Sequence, residues 1–190
     1  MLLGVVLCGG QSKRMGSDKG LLRIGSCTWA ELTVMKLTKL GIPVYISVNE
    51  AQYPSYQNIF IKDKLIVDTA TVEGPLRGIL SIHKGFPADD LLVLSCDMIN
   101  MDEQTLENLV SAYKEDSSLD YYSYVIDNFI QPFPSIYPSG TLSSIVRKAD
   151  KRELNSFSLT NLIGTSKFRK MESNAVASFF NCNNRDSIKG

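Results

Sequence analysis

Residues 7–19 read Leu-Cys-Gly-Gly-Gln-Ser-Lys-Arg-Met-Gly-Ser-Asp-Lys, with three glycines and three basic side chains directly after an apolar run at residues 2–7. Glycine lets the backbone turn with positive φ and lets N–H groups approach an anion with no Cβ in the way. Successive N–H groups in such a loop form an anion-binding nest, expected here at Gly9, Gly10 and their neighbours. Arg14 offers a planar fork of donors and Lys19 a point charge, so the pair can neutralise phosphate. A plain strand-to-helix turn would explain the glycines but not the basic pair. Lys13 reads as solvent-facing. Two familiar nucleotide motifs do not fit. A P-loop needs a Gly-Lys-Ser/Thr ending, but Gly16 is followed by Ser17, and Gly9-Gly10-Gln11 breaks a GxGxxG fingerprint.

Asp97 is the carboxylate best placed to work with that loop. It follows the apolar run 91–94, so it belongs at the carboxyl edge of a sheet, where open α/β folds bind ligands. A carboxylate facing phosphates suits Mg²⁺, which takes one or two carboxylates plus phosphate and water. The competing reading is a cap for the next helix. Asp68 ends another short apolar run and could equally be a turn aspartate. His83, the one histidine, has no Asp or Ser partner in a recognisable pattern, so a histidine triad has no support. Cys8, Cys27, Cys96 and Cys182 form no CxxC pair and read as small core residues; Trp29 reads as a core anchor.

These side chains need a scaffold. Apolar runs predict strands over 2–7, 43–48, 59–61, 65–67 and 91–94. Helical spacing predicts helices over 28–40, ended by Gly41, over 76–84, and over 103–114, capped by Asp102. Beyond residue 117 the chain turns β-rich, with strands over 121–126 and 133–137 split by Asp127-Asn128. Short helices over 141–148 and 159–163 and a β segment over 176–180 follow. Strand alternating with helix predicts an α/β fold of three layers around a doubly wound, mostly parallel sheet. No repeat or low-complexity linker interrupts it. One domain is expected over 1–190, with a nucleotide half to residue 116 and an acceptor half from residue 117.

Composition narrows the field. Twenty Lys plus Arg balance twenty Asp plus Glu, which argues against a general nucleic-acid binder. Hydrophobic residues at 44% with 21% charged exclude intrinsic disorder. No run approaches the roughly 18 apolar residues of a membrane helix. The short apolar start lacks a basic head, which makes it a poor signal peptide. Widely spaced cysteines suit a reducing cytoplasm.

The pattern Leu-x-Gly-Gly-x-Ser-x-Arg-Met-Gly-x-Asp-Lys, complete from Leu7 to Lys19, resembles the signature of the molybdenum cofactor guanylyltransferases, with Cys8 where alanine is usual. These belong to a Rossmann-like nucleotidyltransferase group that also makes sugar nucleotides and cytidyl-linked alcohols. Gly74-Pro75-Leu76-Arg77-Gly78-Ile79 is similar to the family's Gly-Pro-Leu-x-Gly-Ile, and Cys96-Asp97 to its magnesium-holding Cys-Asp. Gln131-Pro132 with Tyr137 is similar to a His-Pro-x-x-x-x-Tyr stretch, and Phe180-Asn181-Cys182-Asn183 to a closing Phe-x-Asn-x-Asn. Three departures stand out. Met98-Ile99 replaces a proline-containing pair, Asn184-Arg185 replaces Thr-Pro, and Ser47 or Asn49 stands for a strand-end asparagine.

The resemblance implies transfer of GMP from GTP to the terminal phosphate of molybdopterin or molybdenum-molybdopterin. It implies Mg²⁺ on Asp97, catalytic roles for Arg14, Lys19 and Asp97, and molybdenum-insertion and molybdoenzyme proteins as partners. Nucleotide contacts are implied for Leu7, Cys8, Gly9, Gly10, Ser12, Lys19, Ser47, Asp68, Gly74, Pro75, Leu76 and Asp97. Acceptor contacts are implied for Gln131, Pro132, Asn181 and Asn183. Alternatives remain: cytidylyl transfer to molybdopterin, nucleotidyl transfer to a sugar or cobinamide phosphate, or a non-catalytic carrier of nucleotide or pterin.

Overall fold

The structure, a computed structural model, describes residues 1–9 and 18–180. In chain order these form β1 (Leu2–Leu7), a small hairpin of β2 (Arg23–Ile24) and β3 (Cys27–Thr28), α1 (Trp29–Lys39), β4 (Val44–Val48), α2 (Tyr53–Tyr56), β5 (Leu65–Val67) and α3 (Pro75–Gly85). Then come β6 (Asp90–Ser95), α4 (Glu103–Glu115), β7 (Tyr121–Ile126), β8 (Phe129–Tyr137), α5 (Ser139–Asp150), α6 (Leu159–Gly164) and β9 (Phe168–Met171).

Seven strands make one sheet in the order β5-β4-β1-β6-β8-β7-β9. Neighbours from β5 to β6 run parallel, as do β7 and β9; β8 alone runs against both of its neighbours. The continuous apolar character of β1 and β6 follows from burial on both faces. Leu3, Val5 and Leu7, with Leu91 and Val93, share a core with Leu76 and Ile79 of α3 and Leu142 and Ile145 of α5. Val6, with Leu92 and Leu94, packs on the other face with Leu37 of α1 and Leu106 and Leu109 of α4. Each such side chain contributes roughly 1.5–3 kcal/mol when fully buried. The three-layer, mostly parallel α/β architecture is therefore as expected.

Local signals explain the boundaries. α1 opens with a capping box: Glu31 N–H donates to Thr28 Oγ1 at 3.2 Å, and Thr28 N–H donates back to Glu31 Oε2 at 2.7 Å. It closes at Gly41, whose φ of 71° needs a residue without Cβ. Asp102 caps α4 by accepting from Thr105 N–H at 2.8 Å. Asp127 and Asn128, at φ 50° and 66°, make the tight turn between β7 and β8.

Two expected strands are absent. At residues 59–61, Ile59 and Phe60 N–H groups both donate to the Tyr56 carbonyl, so the backbone continues the turn of α2 and has no ladder to join. Val176–Phe179 is a 3-10 turn whose Phe179 and Val176 cover the core; their apolar character reflects packing against a surface, not a pleat. The β2–β3 hairpin, α2 and β9 had no sequence expectation. Two-residue strands and a four-residue helix carry no period, and β9 exposes Arg169 and Lys170 on an edge strand.

Candidate active site

From β1 the chain moves outward to β4 and β5, then crosses back to lay β6 on β1's other side. The order therefore reverses between β1 and β6. In an open α/β sheet the crevice at the carboxyl ends of such strands is where ligands bind. Leu7 pairs with Ser95 in register, so Cys8-Gly9 and Cys96-Asp97 emerge side by side there.

Lys19 and Asp97 meet across this crevice. Lys19 Nζ lies 3.0 Å from Asp97 Oδ2, and Ser95 Oγ donates to Asp97 Oδ1 at 2.6 Å. Asp97 stands in a turn closed by Met98 N–H donating to the Ser95 carbonyl at 3.1 Å. Met98 and Ile99 are buried, and Ile99 packs with Trp29, so the residues that replace the expected proline anchor this turn through the core. Asp97 does not cap α4; Asp102 does that. Asp97 is only 7% exposed, and the Lys19 ammonium and the Ser95 hydroxyl both face its carboxyl group.

Asp68 ends β5 beside the same loop. Ser47 Oγ donates to Asp68 Oδ1 at 2.6 Å. A Cβ on Gly9 would collide with Asp68 Oδ2, so glycine is required for the loop to pass this carboxylate. Burial raises the Asp68 pKa; the Ser47 hydrogen bond and the Arg77 charge oppose that rise. Asp68 and Arg77 face an open cleft of about 980 Å³, walled also by Asn49, Tyr53, Pro54 and Thr69. Ser81 Oγ accepts from Thr69 N–H at 2.8 Å and Ala70 N–H at 3.0 Å, tying the segment after Asp68 to α3.

The remaining candidates divide. Gly74, at φ 66°, and Pro75 open α3 and are exposed, but Leu76 is a core residue. Leu7 and Cys8 are buried. Burial also raises the Cys8 thiol's pKa well above its usual value, so it is no nucleophile. Ser47 is fully buried, and a Cβ on Gly78 would strike its Oγ; it reaches the cleft only through Asp68. One expectation is corrected: the Gly9 N–H is not open to an anion, because it donates to the Ser47 carbonyl at 3.1 Å. Cys8 N–H continues the β-ladder to the Ser47 carbonyl at 2.9 Å, and Gly9 N–H shares that acceptor. Gly10, Ser12, Lys13, Arg14, Asn181, Cys182 and Asn183 lie outside the described residues.

Gln131 and Pro132 lie in β8, which runs antiparallel to β6 with Ser135 opposite Val93. Earlier β8 residues therefore point past Ser95, toward the crevice end of the sheet. A bulge sets them apart, since Ser123 pairs with Ser135 but the next residue, Tyr124, pairs with Gln131. Tyr137 Oη closes the bulge by donating to the Pro132 carbonyl at 2.9 Å. Among the described residues His83 has no triad; it meets Ser143 Oγ at 3.1 Å between α3 and α5, and its buried Nδ1 has no hydrogen-bond partner among them.

Roles for Asp18, Gln52, Tyr56 and Arg77 were missed. Asp18 and Arg77 sit inside quoted motifs and were legible as candidates. Gln52 and Tyr56 carry no spacing signal, because their partners are 34 to 44 residues away. Among the described residues no group of three or more His, Cys, Asp or Glu could hold a metal. One carboxylate beside a phosphate site still fits a hard cation that completes its shell with phosphate and water.

The doubly wound sheet, with Lys19 and Asp97 paired where its strand order reverses, is the layout in which α/β enzymes bind nucleotides. Residues 4–162 match the MobA-like NTP transferase domain, and the chain belongs to that family. It is 27% identical over 198 residues, covering 97% of this chain and 86% of the relative, to a protein of Peptoclostridium acidaminophilum named as a probable molybdenum cofactor guanylyltransferase. It is 28% identical over 135 residues to a molybdenum cofactor biosynthesis bifunctional protein of Synechocystis sp., covering 70% of this chain but spanning only 37% of that protein's length. In fold it resembles molybdopterin-guanine dinucleotide biosynthesis protein A of Archaeoglobus fulgidus, with a TM-score of 0.76, 17% identity, and 97% and 94% of the two chains covered.

Proposed function

We propose that the protein transfers GMP from GTP to the terminal phosphate of molybdopterin, with or without bound molybdenum, releasing pyrophosphate and forming the guanine dinucleotide cofactor. The observation that carries this reading is the Lys19–Asp97 pair in the crevice between the ends of β1 and β6. The names of its relatives supply the substrates. The chain is read as one catalytic domain, residues 1–116 serving the nucleotide and 117–190 the acceptor. Its free Cys8, Cys27 and Cys96 suit the cytoplasm.

The acceptor phosphate oxygen attacks the α-phosphorus in line. A new P–O bond forms as the bond to the β-phosphate oxygen breaks, and pyrophosphate leaves with that electron pair. No protein intermediate is needed, so catalysis is positioning plus charge stabilisation. Lys19, with Arg14, offsets the charge that builds on the β and γ phosphates. Asp97 is the ligand for a divalent cation such as Mg²⁺, which supplies further neutralisation of phosphate charge. Asp68, held by Ser47, is an acceptor for the base or ribose in the adjoining cleft. Gln131 and Pro132, with Asn181 and Asn183, are assigned to the acceptor.

The test is direct. The protein, divalent cation, α-³²P nucleoside triphosphate and molybdopterin are combined, and the labelled product is identified. Labelled guanine dinucleotide is expected from GTP. Equal or greater transfer from CTP, or transfer only to a sugar phosphate, overturns the substrate assignment. GTP binding without pyrophosphate release marks a carrier.

A further inference from the structure

One side chain holds both ends of the basic Gly-rich loop. Gln52 stands in the turn between β4 and α2. Its Nε2 donates to the Cys8 carbonyl at 2.9 Å and to Asp18 Oδ2 at 2.8 Å. A primary amide has two N–H donors, and these bonds use both. Gln52 Oε1 accepts from Asn49 N–H at 3.0 Å, and Gln52 N–H donates to Asn49 Oδ1 at 2.9 Å. The network fixes which way the amide points, since the reversed amide would set Oε1 against a carbonyl oxygen and a carboxylate.

Asp18 is held by more than the amide. Its Oδ1 accepts from Tyr56 Oη and from Gly20 N–H, each at 3.0 Å. Tyr56 is fully buried, and burial, with the nearby thiols and Asp18, raises its pKa far above the usual range, so it remains a donor. A Cβ on Gly20 would collide with Tyr56 Oη, so the Lys19-Gly20 turn rests directly on the phenol. Asp18 therefore cannot shift without breaking three bonds, one of them to the residue that also holds Cys8. Lys19 follows Asp18 immediately, and its Nζ meets Asp97. Neighbours of Gln52 in sequence, Asn49, Tyr53 and Pro54, wall the open cleft.

We propose that Gln52 is a positioning residue: it clasps the two ends of the loop at a fixed span, sets Lys19 against Asp97, and joins the wall of the cleft to the phosphate site. This rests on the nucleotidyl-transfer reading above and explains how that site's two halves keep their spacing. Gln52 does not itself touch the nucleotide, because both of its donors are used within the protein. A merely structural network would lower stability and weaken every ligand alike. A clasp weakens phosphate binding selectively, because it is the loop that loses its span.

Wild-type protein and Gln52→Leu are compared by titration calorimetry with inorganic tripolyphosphate plus Mg²⁺, and separately with guanosine. Tripolyphosphate is expected to bind at least tenfold more weakly to Gln52→Leu, with guanosine within twofold of wild type. The kcat for pyrophosphate release falls at least tenfold, while KM for the acceptor is unchanged. Gln52→Glu, close in shape, keeps the Asn49 contact and serves if the leucine variant does not fold. Its tripolyphosphate affinity at pH 7.5 is likewise expected to fall at least tenfold, with guanosine within twofold of wild type, because a carboxylate offers no donor to the Cys8 carbonyl or to Asp18. Tripolyphosphate affinity within twofold in all variants, or a parallel loss of tripolyphosphate and guanosine, overturns the proposal. If wild type shows the expected contrast but makes no dinucleotide from GTP, the reaction assignment fails and the clasp stands. If wild type binds no tripolyphosphate, both fall.

Discussion

At the scale of single residues, Lys19 and Asp97 are unequal partners. Asp97 is nearly enclosed, whereas Lys19 keeps about a quarter of its side-chain surface open to water, at 24%. Removing the lysine leaves a carboxylate in the crevice with a single hydroxyl beside it among the contacts described here; removing the carboxylate leaves an ammonium that solvent can reach. Breaking a buried pair from one side costs most when the enclosed charge is the one left behind. Lys19→Ala is therefore expected to lower the thermal midpoint more than Asp97→Ala. Activity should order the other way. Loss of one preorganised charge at the leaving phosphates costs on the order of 10²–10³ in rate. Asp97→Ala removes the proposed cation ligand as well as the charge, and should abolish turnover while the circular dichroism spectrum stays native. Pyrophosphate release and thermal unfolding of both variants check this. Full metal-dependent turnover in Asp97→Ala would refute its role.

At the scale of elements, α3 links the cleft to the second core. Its N-terminus is set by Gly74 and Pro75, its first turn brings Arg77 to the cleft, and its last turn places His83 against Ser143 of α5. His83 is 2% exposed and burial lowers its pKa below the usual value of about 6.5. The unfolded chain then binds a proton that the folded chain refuses as pH falls below that value. Stability contributed by neutral His83 is complete above about pH 6.5 and is lost on acidification toward the lowered folded pKa. The urea midpoint should fall between pH 7 and pH 5, and less steeply in His83→Gln. Identical pH slopes would show that another group carries the loss. The α3–α5 contact was invisible in the sequence, as were β9 and the β2–β3 hairpin. Elements with broad buried faces, such as β1 and β6 against both cores and α3 against one, are legible because burial dictates their composition. Elements set by edge position or by one distant hydrogen bond are not. The same division runs through the site. Asp68 and Asp97 were legible because each follows an apolar strand, and Lys19 because it ends the basic Gly-rich pattern after β1. Gln52 and Tyr56 were not, because they act through a loop remote in sequence.

At the scale of the whole molecule, the proposed function divides binding between two regions: the crevice between β1 and β6, assigned to phosphate, and the cleft beside Asp68 at the end of β5. A ligand that bridges both should stabilise the folded chain more than either fragment. At a free concentration of about 100 times its Kd, a ligand adds roughly 2.7 kcal/mol to folding stability. For a chain of this size each kcal/mol moves the midpoint by about 2–4 °C, so saturating GTP with Mg²⁺ should raise Tm by roughly 5–10 °C. Guanosine and tripolyphosphate alone should each give less. Chelating the cation should remove part of the GTP shift in wild type and nothing further in Asp97→Ala, because that variant has already lost the ligand. Among the four triphosphates GTP should shift Tm most if the proposed Asp68 contact is to the base, since a carboxylate there would accept from guanine's N1–H and amino group, an adjacent pair of donors that adenine, cytosine and uracil all lack. Differential scanning fluorimetry with each triphosphate, with and without chelator, reads all of these at once. Equal shifts from GTP and CTP would move base choice away from Asp68, and a chelator effect that survives in Asp97→Ala would place the cation elsewhere.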